Sequence, residues 1–379
     1  MRIAYFSETM PPQTDGVTRT LARLADTLQS EGVEFRFFSA MVPDGTVRWR
    51  DRVHRVPSLP FLPYDYYRIG IPLFNTLDGP LDAFEPDLVH AVNPTPLGLY
   101  GIAYARRRGI PVVSSYHTNF VSYFPYYGLR GFEWVGWRYL AWFYNQCDMT
   151  FAPSRAAMSD LAVNGVERVA LWTRGIDPVA FSPAYRSESL RAKLAPPRVP
   201  VLLFVGRLVR EKNLAVLADA CAMLEGRGEA FRLVLVGDGP MRAELAERLP
   251  GAYFAGFRHG AELAALYASA DVFVFPSVTE TFGNVMLEAF ASRLPVVAAA
   301  HGGALDLVDP GINGLLAEPG SAFALACRVR ELLVDPVRRA RMAAGALATA
   351  VRHRWPEVNR QLLLGYDALV SRGPLTSAA

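Results

Sequence analysis

The sequence predicts an α/β protein built from two doubly wound, Rossmann-like domains facing each other across a cleft. The chain has 379 residues, well beyond the roughly 150 of an average domain. Short runs rich in Val, Ile, Leu and Phe alternate with longer segments of helical period, the pattern of β-α units around a parallel sheet. That series occurs twice, on either side of a stretch punctuated by Gly and Pro.

In chain order, the first series places strands at Ile3 to Phe6, Glu34 to Ser39, Leu88 to Ala91, Val112 to Tyr116, Met149 to Pro153 and Val169 to Trp172. The second places them at Val201 to Val205, Arg232 to Val236, Ala252 to Ala255, Val272 to Phe275, Val296 to Ala299 and Gly314 to Ala317. Between them, Arg174 to Pro197 reads as a linker with one short helical piece, and the hinge is expected near residue 180. The domains are then 1–180 and 181–355, with a last helix, Pro356 to Val370, in the 356–379 segment. Ligands of doubly wound sheets bind outside the carboxyl ends of the strands, so the loops after strands should carry function.

Composition removes several classes. With 51% hydrophobic and 20% charged residues, the chain can bury real cores, which argues against disorder. No window approaches the 18 or more apolar residues of a spanning helix. The first residues run into a polar turn without the pattern of a secretion signal, so a cytoplasmic protein is expected, at most peripheral on the inner face of the cell membrane. A net charge of +3 is too small to suggest a nucleic-acid binder. Cys147, Cys221 and Cys327 are widely spaced, which argues against a disulfide framework or a structural zinc.

Two motifs carry the chemistry. The first is Gly206-Arg207 followed by Lys212, after the run Val201 to Val205. A strand-to-helix turn aims backbone N–H groups at an anion, and Arg207 with Lys212 adds a fork and a point charge suited to a diphosphate. Solvated surface cations are the plainer reading. Against it, Lys212 is one of only two lysines, with Lys193, among 39 basic residues. The second motif runs from Phe275 to Ala289. Glu280 falls in a loop, Gly283 lets backbone approach a ligand, and Glu288 lies one turn beyond Asn284 on the same helical face. Carboxylates flanking a helix N-terminus can seat ribose and sugar hydroxyls beside phosphates; an acidic first turn favoured by the helix dipole alone is the alternative.

Together with the Asp15-Gly16-Val17 turn, Tyr116-His117-Thr118, Ala152-Pro153-Ser154 and Arg174-Gly175-Ile176-Asp177, these motifs resemble the retaining glycosyltransferases of family 4, which have the GT-B fold. The likeness spans nearly the whole chain. Tyr116 to Phe120 and Leu171 to Asp177 look most like enzymes that glycosylate lipids or glycolipids, including mannosyl- and sulfoquinovosyltransferases. The resemblance implies that Arg207 and Lys212 hold the donor diphosphate, that Gly283, Asn284 and Val285 offer it amides beside Phe282, and that Glu288 holds the ribose. Glu280 would bind the transferred sugar and His117 would lie at the reacting centre. Gly16 would approach the phosphates, Phe257 and Arg258 the base, and Gly237 and Asp238 a neighbouring part of the donor. Asp15, His117, Asn119, Tyr123 and Tyr127 are expected on the acceptor side, and the last helix is expected to cross back to the first domain. Arg293 stands where many relatives have a small residue, a change expected to stay local.

The expected reaction is transfer of a hexose, GDP-mannose being favoured over UDP-glucose or another UDP-hexose, to a lipid or glycolipid. No cofactor is expected. There is no Asp-x-Asp triplet, and Arg207, Lys212 and a helix N-terminus can stabilise the leaving diphosphate without a metal. His117, emerging at a strand end, can hydrogen-bond a sugar hydroxyl, though a lone His is often only structural. His90 and His301 are weaker candidates.

From Phe120 to Tyr144 there are 12 aromatic residues, with Arg130 and Arg138 among them. Such a segment suits the headgroup zone of a bilayer, flanking a lipid acceptor; a helix buried on the first sheet is the alternative. The loop-like stretch Leu59 to Tyr64 is expected near the same rim. Other classes remain: a nucleotide-sugar epimerase or hydrolase, or a non-catalytic subunit that binds the nucleotide sugar. A nicotinamide dehydrogenase lacks its third glycine, and a pyridoxal enzyme lacks a spare lysine at a site.

Overall fold

The structure is a computed structural model and describes residues 1–373 except Thr14, Thr46, Leu62, Pro63, Phe74 and Asn75; the side chains of residues 61–67 and of Tyr127 also lie outside the description. The chain divides into two compact units. Met1–Val121, Gly131–Arg174 and Trp355–Ala379 form the first, and Ser122–Arg130 with Gly175–Arg354 form the second. The chain therefore leaves the first unit at Arg174, a little before the expected hinge. Within the second unit the entering and leaving segments run side by side: Ile176 N donates to His353 O at 2.7 Å. Segment Ser122–Arg130, expected in the first domain, groups with the second.

The first unit contains β1 (Arg2–Ser7), β2 (Glu34–Ser39), β3 (Val53–Arg55), β4 (Ser58–Phe61), β5 (Tyr64–Gly70), β6 (Leu88–Ala91), β7 (Val112–Ser115), β8 (Met149–Ala152) and β9 (Val169–Leu171). Seven of these make an all-parallel sheet in the order β3-β2-β1-β6-β7-β8-β9. Side chains alternate between its faces. Ala4, Phe6, Val89 and Ala91 pack on one side in a cluster with Leu97, Ile102 and Phe143. Ile3, Tyr5, Leu88 and Val113 pack on the other, in a cluster with Leu21 and Leu24 of the helix Gly16–Ser30 and Leu362 and Tyr366 of the helix Trp355–Arg372. Both faces are buried, which is why these strands read as continuous apolar runs. The last helix is tied to the first one at Asn359, whose Nδ2 donates to Thr27 Oγ1 at 2.8 Å and Arg23 O at 3.2 Å.

One reading needs correction. The stretch from Leu59 to Tyr64, taken as loop-like, belongs largely to a two-stranded antiparallel ribbon of β4 and β5, with Leu62 and Pro63 between them outside the described residues. Pro60 misled the reading. In a two-stranded ribbon the outer edge of each strand makes no ladder bonds, so a residue without an N–H is tolerated there. The short edge strand β3 also carried too little apolar pattern to be seen.

The second unit holds β10 (Val201–Val205), β11 (Arg232–Val236), β12 (Tyr253–Gly256), β13 (Val272–Phe275), β14 (Val296–Ala299) and β15 (Gly314–Ala317). Its parallel order is β12-β11-β10-β13-β14-β15. The winding reverses between β10 and β13, the place where doubly wound sheets open a crevice at their carboxyl ends. The linker after Arg174 is more structured than expected, with a 3-10 turn at Pro183–Tyr185 and a helix at Glu188–Leu194.

Candidate functional site

Both charged motifs leave the two strands that flank that reversal. After β10 the chain turns at Gly206, and the 3-10 turn Arg210–Lys212 follows. Asn213 sits in the left-handed region at φ 52° and starts the helix Leu214–Gly226. Its Nδ2 donates to Pro276 O at 3.4 Å, and Thr279 Oγ1 donates to Glu211 O at 3.3 Å. These two bonds lash the loop after β10 to the loop after β13. The result is that the Lys212 ammonium meets the Glu280 carboxylate in an ion pair, with Ser277 Oγ donating to the same carboxylate oxygen at 3.4 Å. Arg207 lies half in solvent and approaches the buried Glu211 carboxylate at 3.4 Å. The side chains of Lys212 and Glu280 remain partly exposed, at 14% and 21%.

Close backbone packing explains the glycines. A Cβ at Gly237, whose φ is 131°, would overlap the Gly206 carbonyl. Strand ends β10 and β11 therefore touch through backbone alone, with Gly206 N donating to Val236 O at 2.9 Å. Asp238 is exposed, and its Oδ1 accepts from the Gly239 amide at 2.8 Å. On the other flank, Gly303 N donates to Glu280 O at 3.0 Å, and a Cβ at Gly303 would overlap Phe282. The loop His301-Gly302-Gly303 after β14 thus braces the segment from Glu280 to Phe282.

The helix Asn284–Ala291 begins just after Gly283, at φ 91°. Phe282 is buried, Asn284 and Val285 are half-buried, and Asn284 Oδ1 is buried without a hydrogen-bond partner. Glu288, 3% exposed, accepts from Tyr267 Oη at 2.9 Å. The two glutamates therefore sit in different settings: one against a cation at the loop, one under a phenol inside the helix. Phe257 and Arg258 are exposed after β12, and Arg258 Nε lies 3.5 Å from Glu262.

In the first unit the site residues follow β1 and β7. Asp15 caps the helix Gly16–Ser30: its carboxylate accepts from Val17 N, Thr18 N and Thr18 Oγ1 at 2.8 to 2.9 Å. Gly16 opens that helix. Asn119 is half-buried beyond β7. Tyr123, also half-buried, and Tyr127, whose side chain lies outside the described residues, fall in the segment Ser122–Arg130 that groups with the second unit, so the two tyrosines expected on the acceptor side do not belong to the first unit.

His117 is engaged at both ring nitrogens. Arg174 Nη2 lies 3.0 Å from Nδ1, and Ser115 Oγ lies 2.7 Å from Nε2. Arg174 is 4% exposed; it also donates to Trp172 O at 2.8 Å and stands over the Trp172 ring at 4.9 Å. Burial pushes its pKa down to about 9, so it stays charged at neutral pH. Burial, then the Arg174 charge, then His90 hold the His117 imidazole well below the usual histidine range, so the ring is neutral. Sequence reasoning quoted Arg174 only as part of a motif and gave no role to Ser115 or Tyr366. A charged residue two positions past the run Val169 to Trp172 was the available signal.

The aromatic segment divides in two. In the helix Glu133–Tyr144, Leu140, Phe143 and Tyr144 are buried on the first sheet, while Trp134 is 66% exposed and Trp142 51%, with Phe132 and Val135 also outside. The buried-helix reading describes one face of this helix, and the other face is exposed. Among the described residues, no helix is long and apolar enough to cross a membrane.

Comparison with known proteins bears on the family and the fold. Residues 14–179 match the family model described as Glycosyltransferase Family 4, and residues 199–335 match one described as Glycosyl transferases group 1. A GDP-mannose-dependent alpha-mannosyltransferase of Mycobacterium tuberculosis is 38% identical, the alignment covering 100% of this chain and 99% of the relative. The sulfoquinovosyl transferase SQD2 of Arabidopsis thaliana is 33% identical over 86% of this chain and 63% of its own. Among solved structures, Anabaena HepE in complex with UDP superposes with a TM-score of 0.78 at 23% identity, covering 97% of this chain and 100% of that one.

Proposed function

The chain belongs to the family 4 glycosyltransferases with the GT-B fold, and from that premise we propose that it moves mannose from GDP-mannose to a lipid or glycolipid, retaining the anomeric configuration and needing no metal. The observation that carries the reading is the Lys212–Glu280 pair at the winding reversal of the second sheet, beside a helix N-terminus. Lys212 and Arg207 would grip the diphosphate with the amides of Gly283 to Val285, and Glu280, released from Lys212, would accept from hydroxyls of the transferred sugar. Glu288 would take the ribose, Phe257 and Arg258 the base, and Gly237 and Asp238 an adjoining part of the donor. Gly16 would come to the phosphates. As the diphosphate leaves, its growing charge is met by fixed cations and helix dipoles, and the acceptor hydroxyl attacks from the same face.

GDP-mannose is preferred because full-length relatives of about this chain's size carry that donor in their names. A lipid acceptor is supported by likeness to glycolipid-forming relatives and by the exposed Phe132, Trp134 and Trp142, rings suited to a headgroup zone. His117 would lie at the reacting sugar, with Asp15, Asn119, Tyr123 and Tyr127 toward the acceptor.

Thermal shift with GDP, UDP and their sugars tests the donor, since a ligand at 100 times its Kd adds about 2.7 kcal/mol of apparent stability. GDP should raise the transition more than UDP, and labelled mannose from GDP-mannose should enter the organic phase of a lipid extract. A larger shift with UDP, and label from UDP-glucose, would replace the donor. Nucleotide binding with no transfer to any lipid would replace the reaction.

A further inference from the structure

Three side chains of the first unit, Ser115, His90 and Tyr366, form one hydrogen-bonded line behind His117. Ser115 Oγ, 2.7 Å from His117 Nε2, is also 2.9 Å from His90 Nε2, and His90 Nδ1 is 2.6 Å from Tyr366 Oη. All of these groups but His117 are buried. His90 is the single polar residue of β6, on the sheet face that the helix Trp355–Arg372 covers, with Tyr5 and Trp172 rings 5.2 and 6.2 Å away.

Donor counting gives the line a direction. A guanidinium only donates, so His117 Nδ1 accepts from Arg174 and the neutral ring carries its proton on Nε2, donating to Ser115. Ser115 then has its own proton to give, and His90 Nε2 is in reach. His90, kept neutral by burial, with its pKa lowered to about 3, donates from Nδ1 to Tyr366.

We propose that Ser115, His90 and Tyr366 are positioning residues that fix the tautomer and orientation of His117, making the last helix of the chain part of the active machinery. This rests on His117 lying at the reacting sugar. An imidazole held as its neutral Nε2–H form adds no positive charge beside a sugar that itself becomes cationic, and its ring cannot flip without breaking two bonds. Tyr366 is 276 residues from His90 in sequence, so the dependence is invisible in any local motif.

The test is a double-mutant cycle with GDP-mannose as donor and a lipid extract as acceptor. Ser115→Ala and Tyr366→Phe should each lower kcat, by about tenfold for the serine, the lower end of what losing a partner that orients a metal-binding histidine costs, while the KM for GDP-mannose holds. Ser115→Thr should restore most of the loss. In a His117→Ala background both substitutions should cost nothing further, because they act through a ring that is gone. Equal losses in that background would make them merely structural and overturn the proposal. ¹⁵N NMR of His117 should show the Nε2–H tautomer in the wild type and a mixture in Ser115→Ala; an unchanged tautomer overturns it as well. If His117→Ala itself keeps the wild-type rate, the role of His117 fails first, and the two failures are distinct.

Discussion

The two units place their candidate site groups at the carboxyl ends of similar parallel sheets, yet they treat charge in opposite ways. In the second unit opposite charges meet at a half-open loop: Lys212 with Glu280, and Arg207 with Glu211. In the first, one buried guanidinium faces a neutral imidazole, and the rest of the line is neutral hydroxyls and rings. Ion pairs at a partly open loop can be exchanged for a ligand's charges because the incoming phosphate or hydroxyl replaces the partner it displaces, so that no buried charge is left unpaired. Buried neutral networks resist exchange and hold geometry. On the proposed function, the second unit would receive and release the charged donor, and the first would keep a group fixed while chemistry proceeds.

Breaking the charged side should have the largest effect. Lys212→Ala should lower kcat by about 10³-fold, the scale of losing a preorganised stabiliser of leaving-group charge, with circular dichroism unchanged. Glu280→Ala should also nearly abolish transfer. A wild-type rate in either would remove that residue's role. If the cations that meet the diphosphate are side chains, as proposed, EDTA should leave the rate within about twofold; strong inhibition would put a metal in their place.

On the neutral side the expected change is in pH dependence. Arg174→Met removes a charge that lowers the His117 pKa after burial has done the most. The imidazole would then protonate at a higher pH than in the wild type. If the neutral form is the working one, as proposed, the acid limb of the kcat profile should move upward in pH, with kcat about tenfold lower at its best. An unmoved limb would mean that His117 does not titrate in the rate.

A smaller effect tests burial alone. Glu8 lies fully buried just past β1, and desolvation pushes its carboxyl up to about 7 against the opposing Thr95 hydroxyl and the Glu8 and Leu97 amides. With the folded pKa raised above the unfolded one, the folded state binds the extra proton. The stability is full below about pH 4.5 and is lost as pH rises through about 7. Glu8→Gln should therefore match the wild type at pH 4.5 and exceed it at pH 8 by on the order of 2 kcal/mol in urea unfolding. Equal stability at both values would show the carboxyl solvated.

What the sequence revealed follows from what is local. The strands of both parallel sheets other than β3 were legible because burial on two faces makes each a short apolar run, and the charged motifs because they follow such runs directly. The ribbon β4–β5 was hidden by prolines, and β3 by its length. His117 was legible as a strand-end residue, but its partners were not. His90 and Ser115 lie on separate strands, Tyr366 is on the last helix, and only the sheet register and the packing of that helix bring them into line. Asp15 shows the converse: its position was noticed, but its carboxylate caps a helix, a local use that competes with contact to any ligand.

The division of labour between Lys212 and Glu280 is tested most directly by calorimetric titration of GDP, which carries the diphosphate and no sugar, into both single variants. Lys212→Ala should lose most of the affinity, while Glu280→Ala should bind GDP at least as tightly as the wild type, its lysine no longer neutralised, although it transfers no sugar. Equal loss of GDP affinity in the two variants would contradict separate seats for the phosphates and the sugar.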